Sequence, residues 1–158
     1  QHEGVIKHAL IYNPISQDVY MASKGRGSTL NQQRIRISQH KSLNGALITP
    51  GMPNAQSYKS SFYDVFSDIQ IQCAGMRRSG SSVMDLAYVA SGATDLLWKA
   101  QSKIWDVAAA SLLIKEAGGM ITDIYGGTGY LEEKGMIAGN PDMIKKIIPK
   151  LQPHLQKS

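Results

Sequence analysis

Residues 105–119 read WDVAAASLLIKEAGG. Asp106 opens the run, small and aliphatic residues fill its middle, and Gly118 and Gly119 close it. That order predicts a helix over 106–117 with a glycine C-cap. An aspartate at a helix start accepts backbone N–H bonds and meets the positive end of the macrodipole. By position alone a cap is the preferred reading of Asp106. The functional alternative is a hard oxygen ligand for Mg²⁺, beside helix-terminal amides able to hold phosphate.

Upstream of this helix, residues 95–98 read as a short buried strand. Before them Val83, Leu86, Ala87 and Ala90 recur at helical spacing over 82–90, with Gly92 as the stop. Gly80, Ser81 and Ser82 precede that helix. Ser82 and Asp85 have the spacing of a capping box, although the box prefers Glu or Gln at the later position. The same hydroxyls and free amides could contact a polar ligand, and on spacing alone the cap is again preferred. Arg77 and Arg78 lie just ahead; a guanidinium fork suits either a phosphate or an interface salt bridge, and both readings stay open.

Downstream, 120–124 and 136–138 read as strands, with a turn at Gly126 and Gly127. Pro141 opens a last helix whose Ile144, Ile147, Ile148 and Leu151 share a face and whose cap is Asn140. Towards the N-terminus, 5–12 (VIKHALIY), 18–23 (DVYMAS), 34–38 and 46–49 read as strands. Asn13 and Pro14 break the first, and Gly25, Arg26 and Gly27 form a hairpin turn rather than a dinucleotide loop. A loop is expected at 50–53, a helix over 58–69 with Phe62, Val65, Phe66 and Ile69 on one face, and a strand within 69–76. Strands followed by strand–helix alternation predict a layered α/β chain without internal repeats.

The 158 residues suffice for one domain with a sizeable core; 42% are hydrophobic and 18% charged. No apolar run approaches the roughly 18 residues of a membrane span. Gln1, His2, Glu3 and Gly4 resemble neither a signal nor a transit peptide, and a strand-like pattern already opens at Val5, which fits a fragment, removal of an initiator Met or trimming alike. The single cysteine, Cys73, allows no internal disulfide, and a reducing cytoplasm and a buried structural thiol are expected. His2, His8, His40 and His154 are too scattered for metal-ligand spacing. The formal charge of +5 suits anionic partners. Its basic pairs (Lys24 and Arg26, Arg34 and Arg36, Arg77 and Arg78, Lys145 and Lys146) are dispersed, which argues against nucleic-acid binding on charge alone.

Taken in order, these segments resemble a known family. WDVAAASLLIKEAGG closely resembles the second signature of the inositol monophosphatase family, and residues 77–95, RRSGSSVMDLAYVASGATD, resemble the stretch before that signature in the bacterial extragenic-suppressor branch. Asn13 with Pro14, the run from Gly25, Arg26 and Gly27 to Leu30 and Asn31, and the AGNP of 138–141 also fit. The resemblance covers nearly the whole chain as a C-terminal portion. It implies a layered αβαβα fold truncated at the N-terminus, with antiparallel strands of 1–50 completing a first sheet and 57–158 forming a second α/β layer. It further implies Mg²⁺-dependent, Li⁺-sensitive hydrolysis of phosphate monoesters by a cytoplasmic homodimer. Clustered carboxylates hold the metal ions in such enzymes. By resemblance Asp106 is the metal ligand this portion contributes. Gly80, Ser81, Ser82 and Lys99 stand at substrate-contacting places, while Arg77 falls to the substrate and Arg78 to the subunit interface.

The sequence departs from that pattern twice. The first signature, Asp-Pro-x-Asp-Gly-Thr, and the upstream Glu-Glu metal site are absent. The isolated chain is therefore expected to have negligible phosphatase activity. Lys99, seven residues before Asp106, stands where the family often has a Glu that hydrogen-bonds inositol hydroxyls. A lysine cannot accept those bonds and reverses the charge, so it either draws a more anionic ligand or lies on the surface. Competing with the phosphatase reading is a binding role in ribosomal RNA transcription, implied by the bacterial branch, with RNA polymerase or antitermination factors as partners. A third reading is a remnant that pairs with a second copy through uncovered apolar faces.

Overall fold

The computed structural model describes residues 4–51, 60–132 and 135–155. The chain opens as an antiparallel meander, β1 (His8–Asn13), β2 (Asp18–Ser23), β3 (Gly27–Leu30) and β4 (Gln33–Ile35), paired in that order. Alternation gives the sheet two faces. Ala9, Ile11, Tyr20 and Ala22 point inward and are buried, whereas Leu10, Tyr12 and Met21 point outward at 61%, 52% and 39% exposure. The hairpin turn at Gly25, Arg26 and Gly27 is present. Two strands start or stop differently from expectation: β1 begins at His8, and β4 ends at Ile35. β3 was not foreseen, because its inward residue is the polar Ser28. That hydroxyl is buried and donates to the Leu113 carbonyl at 2.7 Å, which satisfies it without an apolar signal in the sequence.

The second sheet is built from β5 (Leu47–Gly51), β6 (Gly75–Met76), β7 (Leu96–Lys99), β8 (Met120–Asp123) and β9 (Met136–Gly139), in the order β6-β5-β7-β9-β8. β5 is parallel to β6 and β7, and β9 runs antiparallel to β7 and β8. The expectation that 1–50 completes the first sheet thus stops at β4, since β5 pairs in the second. Between these strands run α1 (Ser60–Gln70), α2 (Ser82–Ala90), α3 (Ile104–Glu116) and α4 (Pro141–Leu155), with a short 3-10 turn at Gly129–Leu131. The strand foreseen within 69–76 shrinks to Gly75–Met76, because Ile69 and Gln70 finish α1 and Ile69 is buried beneath it. Met52, Pro53 and the helix start at Tyr58 lie outside the described residues, as do His2 and the side chains of Phe62 and His154.

Two cores define the layers. In the first, α2 and α3 lie between the sheets: Leu86, Ala87, Val89 and Ala90 of α2 and Val107, Ala110, Leu113 and Ile114 of α3 pack on Ile11 and Tyr20 on one side and Leu97, Ile121 and Met136 on the other. A helix walled in by two sheets is apolar nearly all round, and the alanines of α3 fit that enclosure. In the second core, Val65 and Ile69 of α1 and Met143, Ile144, Ile147 and Leu151 of α4 cover the opposite face of the second sheet through Ile48, Leu96, Trp98 and Ile137. The order is sheet, helix pair, sheet, helix pair, a mixed α/β architecture. Asn140 caps α4 as expected, its Oδ1 accepting the Asp142 N–H at 2.9 Å. Gly118, at φ +86, terminates α3: the Gly118 and Gly119 N–H groups donate to the carbonyls of Lys115 and Ile114. Among the described residues no helix is long and apolar enough to cross a membrane.

Candidate active site

β5 and β7 are parallel neighbours and end side by side at Gly51 and Lys99. Open α/β sheets place ligands beyond the carboxyl ends of such strands. A cavity of about 220 Å³ lies there, walled by Thr49, Pro50, Gly51 and Leu97 from the strands and by Gly80, Ser82 and Asp85 at the start of α2, with Arg78 and Lys99 beside them. A wider open groove of about 650 Å³, lined by Leu43, Asn44, Ile71, Lys146 and Lys150 among others, includes residues leading into the opposite end of β5 and none of the expected site residues.

Four expected residues therefore share one cavity: Gly80, Ser82, Lys99 and Arg78. Ser82 is the first residue of α2, and its hydroxyl accepts a hydrogen bond from the Lys99 ammonium. The capping box of Ser82 and Asp85 does not form. Ser81 occupies the N-cap with an extended backbone and no side-chain cap bond, while Asp85 reaches back to accept the Ser79 N–H at 3.0 Å. Ser81 is absent from the cavity wall, and its N–H donates to the Ser79 hydroxyl. The arginines also differ from expectation. The Arg77 N–H donates to the Ile48 carbonyl, continuing the strand pairing, and its guanidinium folds onto the Met76 carbonyl at 2.9 Å. Successive side chains of extended backbone point to opposite sides; Arg78, not Arg77, lines the cavity.

Asp106 lies in the first turn of α3, whose N-cap is Lys103. Its own N–H donates to the Lys103 carbonyl, so Asp106 stands inside the first turn and is not itself the N-cap residue. The carboxylate faces Lys99, with Oδ2 3.9 Å from Nζ and side-chain exposures of 27% and 23% respectively. Lys99 is thus drawn into the site, not spread on the surface. Next to Asp106 the Trp105 ring is 71% exposed, with the Lys103 ammonium 5.9 Å from its centroid. Mg²⁺ asks for several oxygen ligands in near-octahedral array. Among the described residues no three His, Cys, Asp or Glu side chains converge to hold a metal. One carboxylate facing an ammonium is not a Mg²⁺ site by itself, and the described residues do not fit that ion.

A model of the inositol monophosphatase family matches residues 1–156. The chain belongs to that family. It is 39% identical over 161 residues to a Nus factor SuhB of Pseudomonas aeruginosa, covering all of this chain and 59% of that protein. A Nus factor SuhB of Escherichia coli is 34% identical over 97% of the chain and 58% of its own length. Among solved structures, the extragenic suppressor protein suhB from Bartonella henselae superposes with a TM-score of 0.90 at 36% identity, over 95% of this chain and 58% of that one. The inositol monophosphatase from Anabaena gives 0.87 at 28% identity, over 95% and 60%. The chain therefore spans about three fifths of the length of these relatives.

Sequence reading missed Thr49, Pro50, Gly51, Asp85 and Leu97 as cavity walls. Thr49, Pro50 and Gly51 reach the site only through the parallel pairing of β5 with β7, which no local pattern announces. Gly51 carries the clearest constraint. A Cβ there would lie 2.2 Å from Lys99 Cγ and 2.8 Å from Lys99 Cα, so only glycine lets the lysine stem pass.

Proposed function

We propose that this chain is the part of a phosphate-monoester hydrolase that shapes the pocket for the ester's alcohol portion and supplies one carboxylate, Asp106, to a cation-binding centre completed by groups from outside the described residues. Family membership supports the reaction class. The observation that carries the reading is the meeting of Ser82, Lys99 and Asp106 at the carboxyl ends of β5 and β7. Gly80 and Ser82 border the pocket where hydroxyl groups can be met, Arg78 offers a guanidinium fork to an oxyanion, and Leu97 and Thr49 form the wall. Mg²⁺ as the cofactor, a cytoplasmic setting and a homodimer belong to the same proposal.

Phosphate release from inositol monophosphate and other monoesters tests it. The 158-residue chain alone is expected to release none above background in Mg²⁺. Joined to the segment of a SuhB relative that carries the missing acidic signatures, it is expected to hydrolyse, and Asp106→Asn should cut the rate by about 100-fold or more. Robust turnover by the chain alone, or full activity of the joined protein with Asn at 106, would end this reading.

A second role is favoured by the names of the relatives, which are Nus factors. In that role the protein binds transcription complexes, with RNA polymerase or antitermination factors as partners, and Asp106 is dispensable. Binding of the joined protein to RNA polymerase, unchanged by Asp106→Asn, is the expected outcome. Loss of both binding and hydrolysis in that variant would tie the two roles to one site.

A further inference from the structure

We propose that Lys99 and Arg78 make the cavity beyond β5 and β7 select esters whose alcohol portion itself carries an anionic group, a carboxylate or a second phosphate. This rests on the reading of the cavity as the seat of the ester's alcohol portion. Two cations enter its wall from separate elements. The stem of Lys99 leaves the end of β7 across the bare backbone of Gly51, where a Cβ would lie 2.2 Å from Lys99 Cγ. Its ammonium donates to the Ser82 hydroxyl at the start of α2, and its side chain stays 23% exposed. Arg78, two residues past the end of β6, is exposed, and no described carboxylate forms an ion pair with it. The neighbouring Arg77 differs, because its guanidinium is spent on the Met76 carbonyl.

The hydrogen-bond chemistry of the wall decides between a hydroxyl and an oxyanion. An ammonium has three N–H donors and a guanidinium five, and neither has an acceptor. Ser82 takes one of the ammonium's donors. Asp106 Oδ2, at 3.9 Å, offsets part of the Lys99 charge but lies beyond hydrogen-bond length and outside the cavity wall. Asp85, the one carboxylate in the wall, has Oδ1 occupied by the Ser79 N–H. Donors therefore outnumber acceptors, and the wall holds two cations against one anion. An ionised carboxylate or phosphate only accepts, so it satisfies such donors without needing an acceptor in return. A polyol hydroxyl brings an O–H for which the wall has little to offer, and no charge to meet the cations. A volume of about 220 Å³ suits a small alcohol portion.

Alcohol portions alone, titrated without metal into the isotope-labelled 158-residue chain and followed by NMR, test this. Glycerate supplies the carboxylate, glycerol 3-phosphate supplies the phosphate, and glycerol and myo-inositol are the neutral controls. The two anions should shift the amide signals of Gly51, Gly80, Ser82 and Lys99 and bind about tenfold more tightly than either polyol. Whichever anion binds more tightly identifies the group as carboxylate or phosphate. Lys99→Gln and Arg78→Gln should each weaken anion binding about tenfold. The exposed Arg78 carries the test if the Lys99 variant does not fold. Polyols bound at these amides as tightly as the anions, or anion binding there unchanged in the folded variants, overturn selection by charge and leave the alcohol-pocket reading standing. No response of these amides to any of the probes overturns both.

Discussion

Glu116 shows how one side chain ties distant parts of the chain. It sits at the end of α3, and its two carboxylate oxygens accept the N–H groups of Gly25 and Gly27, each at 2.8 Å. The glutamate of the Glu-Ala-Gly-Gly run thus clamps the hairpin between β2 and β3. The Gly25 N–H does most to hold this carboxyl below its ordinary range, with the Gly27 and Arg26 N–H groups and the Lys24 charge adding, while burial pulls the other way. A lowered folded-state pKa gives stability that is present above the ordinary Glu pKa and lost as pH falls through the folded value. Glu116→Gln should cost about 1 kcal/mol at pH 7, and the deficit should shrink in acid. Urea unfolding of both proteins at neutral and acid pH checks this; an equal deficit at both would dissociate the effect from the carboxylate's charge. Tyr20 titrates in the opposite sense. Its hydroxyl is pushed up to about 12, first by burial and then by Asp18 and Tyr88. Folding therefore favours the protonated phenol, and this contribution is lost as pH rises from the unfolded value near 10 through the folded one.

At the level of elements, the starts of α2, α3 and α4 differ. α4 is capped by Asn140, whose Oδ1 takes the Asp142 N–H and whose carbonyl accepts from Met143 and Ile144. Asn140→Ala should cost about 1 kcal/mol of stability, measurable as a lower urea midpoint with unchanged slope. No change in the midpoint would mean the helix is held by its Ile144 and Ile147 face alone. α2 and α3 start without side-chain caps, at Ser81 and Lys103. These two uncapped starts are the ones beside the candidate site, with Ser82 and Asp106 directed at Lys99. Sequence spacing suggested caps at both places because cap and ligand site use the same residue types. What the spacing does not contain is β7, which delivers Lys99 between the two helix starts.

At the level of the molecule, the outer face of the first sheet carries an exposed apolar patch among polar residues. Leu10 and Met21 face each other across β1 and β2, with Tyr12 further along the same face. The chain also spans about three fifths of its relatives' length. An exposed patch of this kind drives association. The chain should self-associate as concentration rises, and Leu10→Lys with Met21→Glu, a charge pair across the strands, should shift it to monomer. Sedimentation equilibrium reads this directly, and a dilution-stable monomer in the parent chain would remove the patch as a driver.

By itself the sequence determined the α/β class, the extents of β2 and α2, the glycine stop of α3, the Asn140 cap and the family, because these depend on period, turn chemistry and short-range motifs. It also singled out Asp106 as a candidate ligand and Lys99 as a departure from the family pattern, without joining the two. Tertiary structure alone decided that β5 joins the second sheet, that Gly51 clears a path for Lys99, that Arg78 faces the cavity and Arg77 does not, and that Lys99 meets Ser82 and Asp106. The physical reason is separation along the chain. Strand pairing brings residue 51 beside residue 99, and no local pattern encodes which distant backbone will stand next to a given side chain.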